Sequence, residues 1–366
     1  MKLTFITMSD NDLIKNVLLI INAQEDFHDK EKTFKRLASN PSSGLPIIGS
    51  CENTNNIIKM LLNDIKTFEE TKKTYFKEID FILDSHSINH ISHSAAWSRL
   101  DGESVEAGVV FKLNDDETEI VNATPVKNMK PGTIIYKAAE PCLQKWYLEY
   151  VKKMVNEQKI HPLIWNTQCV RNSHGWQIEE NLWETALNWS NKTGSTIFLH
   201  EKGENPLCEM YSAMKALIPY EEMIETFPIE TQNEILDYIC LSRTKPPFQN
   251  IHNYEKGTNR NMTTKFNEPL FQHLCGATPE QQNRLYICGQ TKSHCVNWST
   301  RDIVDEIEHL EMRTDLVVIL ENMMSNLMLP DSVPNSSTLN KKIKTDGETF
   351  INDMKKKGVQ VINSNI

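Results

Sequence analysis

Among the 366 residues, Cys295 has the setting of a nucleophile. It follows the apolar run Leu285-Tyr286-Ile287-Cys288, a stop at Gly289 and a short polar turn. It also opens a segment in which Val296, Ile303, Val304 and Ile307 recur at helical spacing. A thiol in the first turn of a helix meets unpaired N–H groups and a partial positive charge, both of which favour the thiolate. Other residues with chemical potential sit just past other apolar runs: Asn22 after Val17–Ile21, Asp84 after Ile79–Leu83, and Lys202 after Ser195–Leu199. Asp84 is followed by His86, His90 and His93, a density of imidazole that suits a metal ion. Taken singly, each has a plainer explanation. A cysteine at a helix start is usually a packing residue, and a lysine beside Gly203 is usually on the surface.

The elements that would position these residues follow from periodicity. Short apolar runs at 17–21, 79–83, 195–199, 285–288, 316–320 and 359–362 alternate with helix-patterned stretches, among them Ile57, Ile58, Leu61, Leu62 and Ile65 on one face, and 178–189. Strand and helix alternate without hairpin signals. That predicts an α/β, doubly wound, mostly parallel sheet of about six strands with helices on both faces, a Rossmann-like three-layer sandwich. In such sheets ligands bind beyond the carboxyl ends of the strands, so Asn22, Asp84, Lys202 and Cys295 can share one crevice. The stretch up to about Pro46 reads as loop, and His161–Trp165 as a further short apolar run. Insertions at about 94–160 and 218–265 interrupt a single predicted domain spanning 1–366. A Pro- and Ser-containing loop is expected near Leu329–Ser337.

Composition narrows the partners. The chain is 39% hydrophobic and 24% charged with a net charge of −10, ordinary values for a globular protein that is not attracted to nucleic acid or an anionic membrane. No apolar run approaches a membrane span, and the first residues carry acids where a signal peptide needs its apolar core, so a cytoplasmic address is expected. The eight cysteines lack paired spacings and read as reduced thiols. There is no Gly-rich phosphate loop, and no nucleotide cofactor is expected.

Four blocks, in order, resemble the isochorismatase-like cysteine hydrolases, the superfamily of nicotinamidases and N-carbamoylsarcosine amidohydrolase. They are LLIINAQEDF ending at Phe27, ILDSHSINHISH (82–93), EKGENPLCEMYSAM (201–214) and CGQTKSHCVNWSTRD (288–302), with IWNTQCV (164–170) between the second and third. The resemblance spans nearly the whole chain. It implies a Cys-Lys-Asp triad in which Cys295 attacks an amide carbonyl to form a thioester, Lys202 stabilises the sulfur, and a carboxylate moves the proton to the leaving amine. It also implies an oxyanion hole from the backbone N–H groups of Thr291 and Cys295, with a non-proline cis peptide at Gln290–Thr291. Phe27, Trp165, Tyr211 and His294 would line a substrate pocket. Lys137, in IIYKAAE, looks similar to Lys202 but precedes the Trp165 segment, where the family's lysine follows it.

Two positions depart from the family pattern. Asn22 stands where the triad aspartate belongs; it can hold Lys202 through its carbonyl oxygen but accepts no proton at neutral pH. Asp26 lies too far along to replace it. Three explanations stay open: a catalytically impaired member with a binding or structural role, another base such as His294, or an asparagine introduced to trap a complex. The family's metal ligands map to Asp84 and His86, but Gln168 takes the place of a histidine; His90, His93 or Gln168 would have to complete a site for one divalent zinc or iron ion. The expected activity is cleavage of a C–N amide bond in a small molecule, and such enzymes are often homo-oligomers. Vinyl-ether hydrolysis of the isochorismatase type fits less well, because it uses the missing aspartate and not the cysteine.

Overall fold

A computed structural model describes residues 14–39, 44–126, 129–244, 264–329 and 336–363. The first thirteen residues, which carry acids in place of a signal peptide's apolar core, lie outside these, as do 245–263 of the second insertion and 330–335 of the loop after Leu329.

Among the described residues, ten strands form two sheets. β1 (Asn16–Ile21), β2 (Glu78–Asp84), β7 (Thr196–Lys202), β8 (Arg284–Gly289), β9 (Val317–Leu320) and β10 (Gln360–Ile362) make a six-stranded sheet in the order β10-β9-β8-β1-β2-β7. Every pairing in it is parallel. The described helices are α1 (Glu31–Ser39), α2 (Ser50–Thr71), α3 (Gln144–Asn156), α4 (Glu180–Thr193), α5 (Tyr220–Ile224), α6 (Ile229–Thr244), α7 (Glu268–Cys275), α8 (Cys295–His309) and α9 (Ser336–Lys356). None of the described helices is long and apolar enough to cross a membrane.

β1 shows why the sheet is double-faced. Val17, Leu19 and Ile21 pack with Phe271 of α7, Ile303 of α8 and Phe350 of α9, whereas Leu18 and Ile20 pack with Ile57 of α2 and Leu182 of α4. All five are fully buried, which stabilises the fold by roughly 1.5–3 kcal/mol for each large side chain. A strand covered on both faces needs a continuous apolar run, and that is what NVLLII supplies. The three-layer α/β sandwich expected from the sequence is therefore the one observed. Alternation along β2 sends Ile79, Phe81 and Leu83 to the α2/α4 side and Ile82 to the α7/α8 side. Glu78, Asp80 and Asp84 share the direction of Ile82.

Two local expectations are corrected. The first insertion does contain antiparallel pairing: β3 (Trp97–Arg99), β4 (Phe111–Leu113), β5 (Ile120–Asn122) and β6 (Ile135–Ala138) form a second sheet in the order β3-β6-β5-β4. Its strands are only three or four residues long, too short to leave an alternating pattern in the sequence. They pack with Trp146, Tyr147 and Val151 of α3 around a core distinct from the two that flank the parallel sheet. Residues 31–39, read as loop, form α1, which carries few apolar residues to betray it. The apolar run His161–Trp165 makes isolated pairings, Leu163 with Val110 and Trp165 with His93.

Candidate functional site

The parallel strands bring the separated residues together. β2 and β7 pair in register so that Asp84 lies beside Lys202, and β1 lies between β2 and β8, the strand that leads to Cys295. Lys202 Nζ is fully enclosed and donates to Asp84 Oδ1, to the Met210 carbonyl (2.7 Å) and to Cys295 Sγ (3.7 Å). Cys295 is the first residue of α8, and its N-cap His294 makes no side-chain capping bond. The Gln290–Thr291 peptide is cis. Lys137 sits on β6 with its side chain exposed, away from these groups.

Asp84 occupies a different place from the one the sequence suggests. Its Oδ1 takes the Lys202 ammonium and its Oδ2 accepts from Asn22 Nδ2 at 2.7 Å. Asn22 therefore does not hold Lys202 through its carbonyl. Its amide is turned to donate, and Asn22 Oδ1 has no partner among the described residues. The physical cause is plain: a carboxylate competes better than an amide oxygen for a buried ammonium, and it accepts from the amide at the same time. Gln24 fixes Asp84 from behind, donating from Nε2 to its carbonyl and accepting its N–H at Oε1, both at 2.8 Å. Asp26 faces away from this site and accepts from the Cys169 N–H at 2.8 Å.

The electrostatics correct another expectation. Burial pushes the Cys295 thiol up to about 12, with Lys202 pulling it down and Asp84 and Glu209 pushing it further up. The helix N-terminus does not by itself hold a free thiolate here. For Lys202, burial opposes the charge, but Asp84 and Cys295 outweigh it and raise the ammonium above its ordinary value. Sequence reasoning missed Glu209. This carboxyl is buried, and desolvation followed by repulsion from Asp84 raises it to about 7. Its Oε2 has no partner among the described residues. The hint was available in CEMYSAM, an acid in a segment otherwise apolar or small.

Residues 203–210 are gripped by the first insertion and by His90, which precedes it. Trp146 Nε1 donates to the Leu207 carbonyl (3.0 Å), the Glu209 N–H donates to Tyr150 Oη (3.1 Å), and His90 Nε2 lies 3.1 Å from the Cys208 carbonyl. A small cavity bounded by Ser92, Tyr150, Ile164, Glu209 and Tyr211 lies at this junction. His294 packs edge-on against Trp165 (5.9 Å between centroids) and Tyr211 (5.5 Å), while Phe27 joins Trp165 and Cys169 in an adjoining cluster. His294 Nδ1 bonds to Ser293 Oγ (2.9 Å), and burial lowers its pKa to about 4.

The metal-ligand set also rearranges. His86, His90 and His93 bring one ring nitrogen each within 4.8 Å of one another, whereas Asp84 is taken by Lys202 and stays 3.8 Å from His86 Nε2. His86 and His90 stack at 4.3 Å. Burial drives His86 and His90 well below the ordinary imidazole range and His93 to about 4, so all three are neutral, the form that binds metals. Neither nitrogen of His86 has a hydrogen-bond partner among the described residues, although the Gln168 backbone lies near enough to oppose the lowering of its pKa slightly. His93 Nδ1 bonds to the Ile88 carbonyl, leaving Nε2 with a long 3.4 Å contact from the Gln168 N–H. His90 is engaged at both nitrogens, by Ser92 Oγ and the Cys208 carbonyl. His86 and His93 fit a divalent ion as they stand; His90 fits once it exchanges one of those bonds. Gln168 is buried with Oε1 unpartnered among the described residues. Gly203, at φ +75°, makes room for this cluster: a Cβ there would come within 2.8 Å of His86 Nε2.

No family model matches the chain, and no curated protein matches it. Solved structures do. A nicotinamidase/pyrazinamidase from Acinetobacter baumanii shares 12% identity over 96% of each chain, with a TM-score of 0.43. The yeast nicotinamidase bound to the inhibitor nicotinaldehyde shares 12% identity over 95% of this chain and 100% of its own, also at a TM-score of 0.43. A pyrazinamidase of Pyrococcus horikoshii in complex with zinc shares 14% identity over 95% and 99%, with a TM-score of 0.38. These are proteins to which the chain is similar.

Proposed function

We propose that the chain is a cysteine hydrolase of small amides in which Asp84, on β2, supplies the carboxylate that Asn22 on β1 lacks. The observation that carries this reading is Lys202 Nζ, which bridges Asp84 Oδ1 and Cys295 Sγ within hydrogen-bonding reach. The thiol is protonated at rest, so its proton must leave as the sulfur attacks. It passes by way of Lys202 to the Asp84 carboxylate while the S–C bond forms, and the backbone N–H groups of Thr291 and Cys295 receive the developing oxyanion. The tetrahedral intermediate collapses by breaking the C–N bond. The proton on Asp84 goes to the amine, which leaves as ammonia from a primary amide. Water then cleaves the thioester, giving the carboxylic acid and restoring the thiol. Asn22 holds Asp84 in place and Gln24 fixes its backbone.

Trp165, Tyr211 and His294 supply ring faces and Phe27 an apolar wall, which favours a flat aromatic amide. A divalent ion held by His86, His93 and a released His90 would supply Lewis-acid binding of a donor atom on the substrate. Glu209, near 7, is a second group able to carry a proton beside the triad.

The test is ammonia release from a panel of primary amides, nicotinamide first, with trapping of the acyl group on Cys295 read by mass spectrometry. Turnover that vanishes in both Cys295→Ala and Asp84→Asn supports the reading. An intact fold with no turnover and no acyl-enzyme on any amide would favour the impaired member with a binding role, while turnover that survives Asp84→Asn would remove Asp84 from the triad.

A further inference from the structure

The geometry points to a second divalent-cation site, formed by Asp80, His200 and His273 with Glu78 beside them. It is separate from the catalytic crevice. Asp80 lies four residues before Asp84 on β2, about 13 Å away at ~3.3 Å per residue. His200 comes from β7 and His273 from the last turn of α7.

His200 Nε2 lies 2.7 Å and His273 Nε2 2.8 Å from the same oxygen, Asp80 Oδ1. One ligand atom from each of the three residues falls within 4.8 Å of the others. Two imidazole nitrogens and a carboxylate converging on one point are the donor set preferred by zinc, cobalt(II) and iron(II), with positions left open for water. Two buried atoms remain unexplained by the hydrogen bonds alone. Asp80 Oδ2 and Glu78 Oε1 have no partner among the described residues, although Asp80 is fully buried and Glu78 nearly so. Glu78 Oε1 stands 3.9 Å from His273 Nε2, and Oε2 pairs with Lys15. A cation among these groups would satisfy both orphaned oxygens, with each imidazole as the Nδ1–H tautomer presenting its Nε2 lone pair.

Access and rigidity agree with this assignment. The side chains of His200 and His273 are 23% and 28% exposed, so an ion has a path from solvent, while Asp80 forms the floor. The His273 ring packs edge-on against Phe198 (4.6 Å) and lies 5.4 Å from His200, which holds the ring on the Asp80 side.

The test uses the full chain, stripped with a chelator and dialysed against buffered free Zn²⁺, with bound zinc counted by elemental analysis and Co²⁺ coordination read from its visible spectrum. Compared with the unsubstituted protein, His200→Gln/His273→Gln should hold one equivalent less, with at least a 100-fold weaker affinity for that equivalent. His86→Ala should keep it. Melting without metal checks that the variants fold; His273→Gln alone, at a half-exposed position, serves if the double variant does not. The proposal is overturned if the folded histidine variants bind as much zinc as the original chain, or if the only equivalent found is lost in His86→Ala. In either case the imidazoles are no more than hydrogen-bond partners of Asp80.

Discussion

β2 and β7 carry two carboxylate–base pairings on one face of the sheet, and the two are built for different ends. At the carboxyl end Asp84 meets Lys202, a cation that burial cannot strip of its proton. Farther back Asp80 meets His200 and His273. Burial alone would raise Asp80, yet the two imidazoles hold it below the ordinary carboxylate range, and Asp80 in turn raises His273. One pairing is dry and built on an ammonium, which would suit it to restrain a thiol and return a proton to it. The other is half open and made of exchangeable nitrogens, which suits it to a metal. The same ladder thus produces unlike chemistry according to how far each rung lies from solvent and whether its partner is an ammonium or an imidazole.

Targeted substitutions sharpen or break this contrast. Cys295→Ala should reduce amide hydrolysis to the uncatalysed background, in an ammonia-release assay, while leaving zinc binding at Asp80 intact; loss of both would mean the two regions are not separate. Next, Asp84→Asn should lower the rate by about 10²–10⁴, against a much smaller loss for Asp80→Asn. Because Asp84→Asn leaves the Lys202 charge without its carboxylate, the swap Asn22→Asp/Asp84→Asn is the fairer measurement. It restores the charge, and recovery of part of the lost rate would show that the carboxylate matters more than the strand bearing it.

Asn22→Asp alone is the sharpest discriminator. On the sequence, restoring the family's carboxylate should raise turnover by roughly 10²-fold. In the structure the new carboxylate replaces an N–H donor 2.7 Å from Asp84 Oδ2, and two carboxylates at that distance share a proton. The expected outcome is a fall of about tenfold at neutral pH, with kcat/KM shifted toward alkaline pH. A hundredfold gain would return the catalytic role to β1. The smallest effect concerns stability. Glu209 binds its proton more tightly in the folded state, at about 7 against 4.5, so the folded chain loses stability as pH rises through that window. Glu209→Gln should flatten that loss, on the order of 3 kcal/mol, in denaturant titrations at pH 5 and 8. It should also remove any step near pH 7 from the rate profile.

Much of this arrangement was legible in the chain. The six apolar runs gave the parallel sheet, and the ends of those runs pointed to Asn22, Asp84, Lys202 and Cys295 as neighbours, because parallel topology places all carboxyl ends on one edge. What the runs could not give is which polar atom pairs with which. The family resemblance maps Asp84 and His86 onto metal ligands, but a local motif says nothing about a lysine more than a hundred residues away that competes for the same oxygens. The region around Asp80 had a signal that went unread: EIDFILD places acids at alternate positions of a strand buried on both faces, where each acid needs a partner. The thiol misled in the opposite direction, since the helix start at Cys295 is visible in sequence but the depth of its burial is not. Strands of three residues in the first insertion left no periodicity to find.

The first insertion, packed with residues 207–239 around an aromatic core distinct from those of the parallel sheet, holds the 203–210 loop through Trp146 and Tyr150. A cooperative unit with its own core can open while the rest stays folded. On warming, the insertion would then act as a fuse: Glu209 and the Met210 carbonyl that steadies Lys202 would lose their setting before the parallel sheet lost any hydrogen bond. Inactivation would precede melting, and the working temperature range of the molecule would be set by a region that contributes none of the candidate catalytic or metal-binding residues.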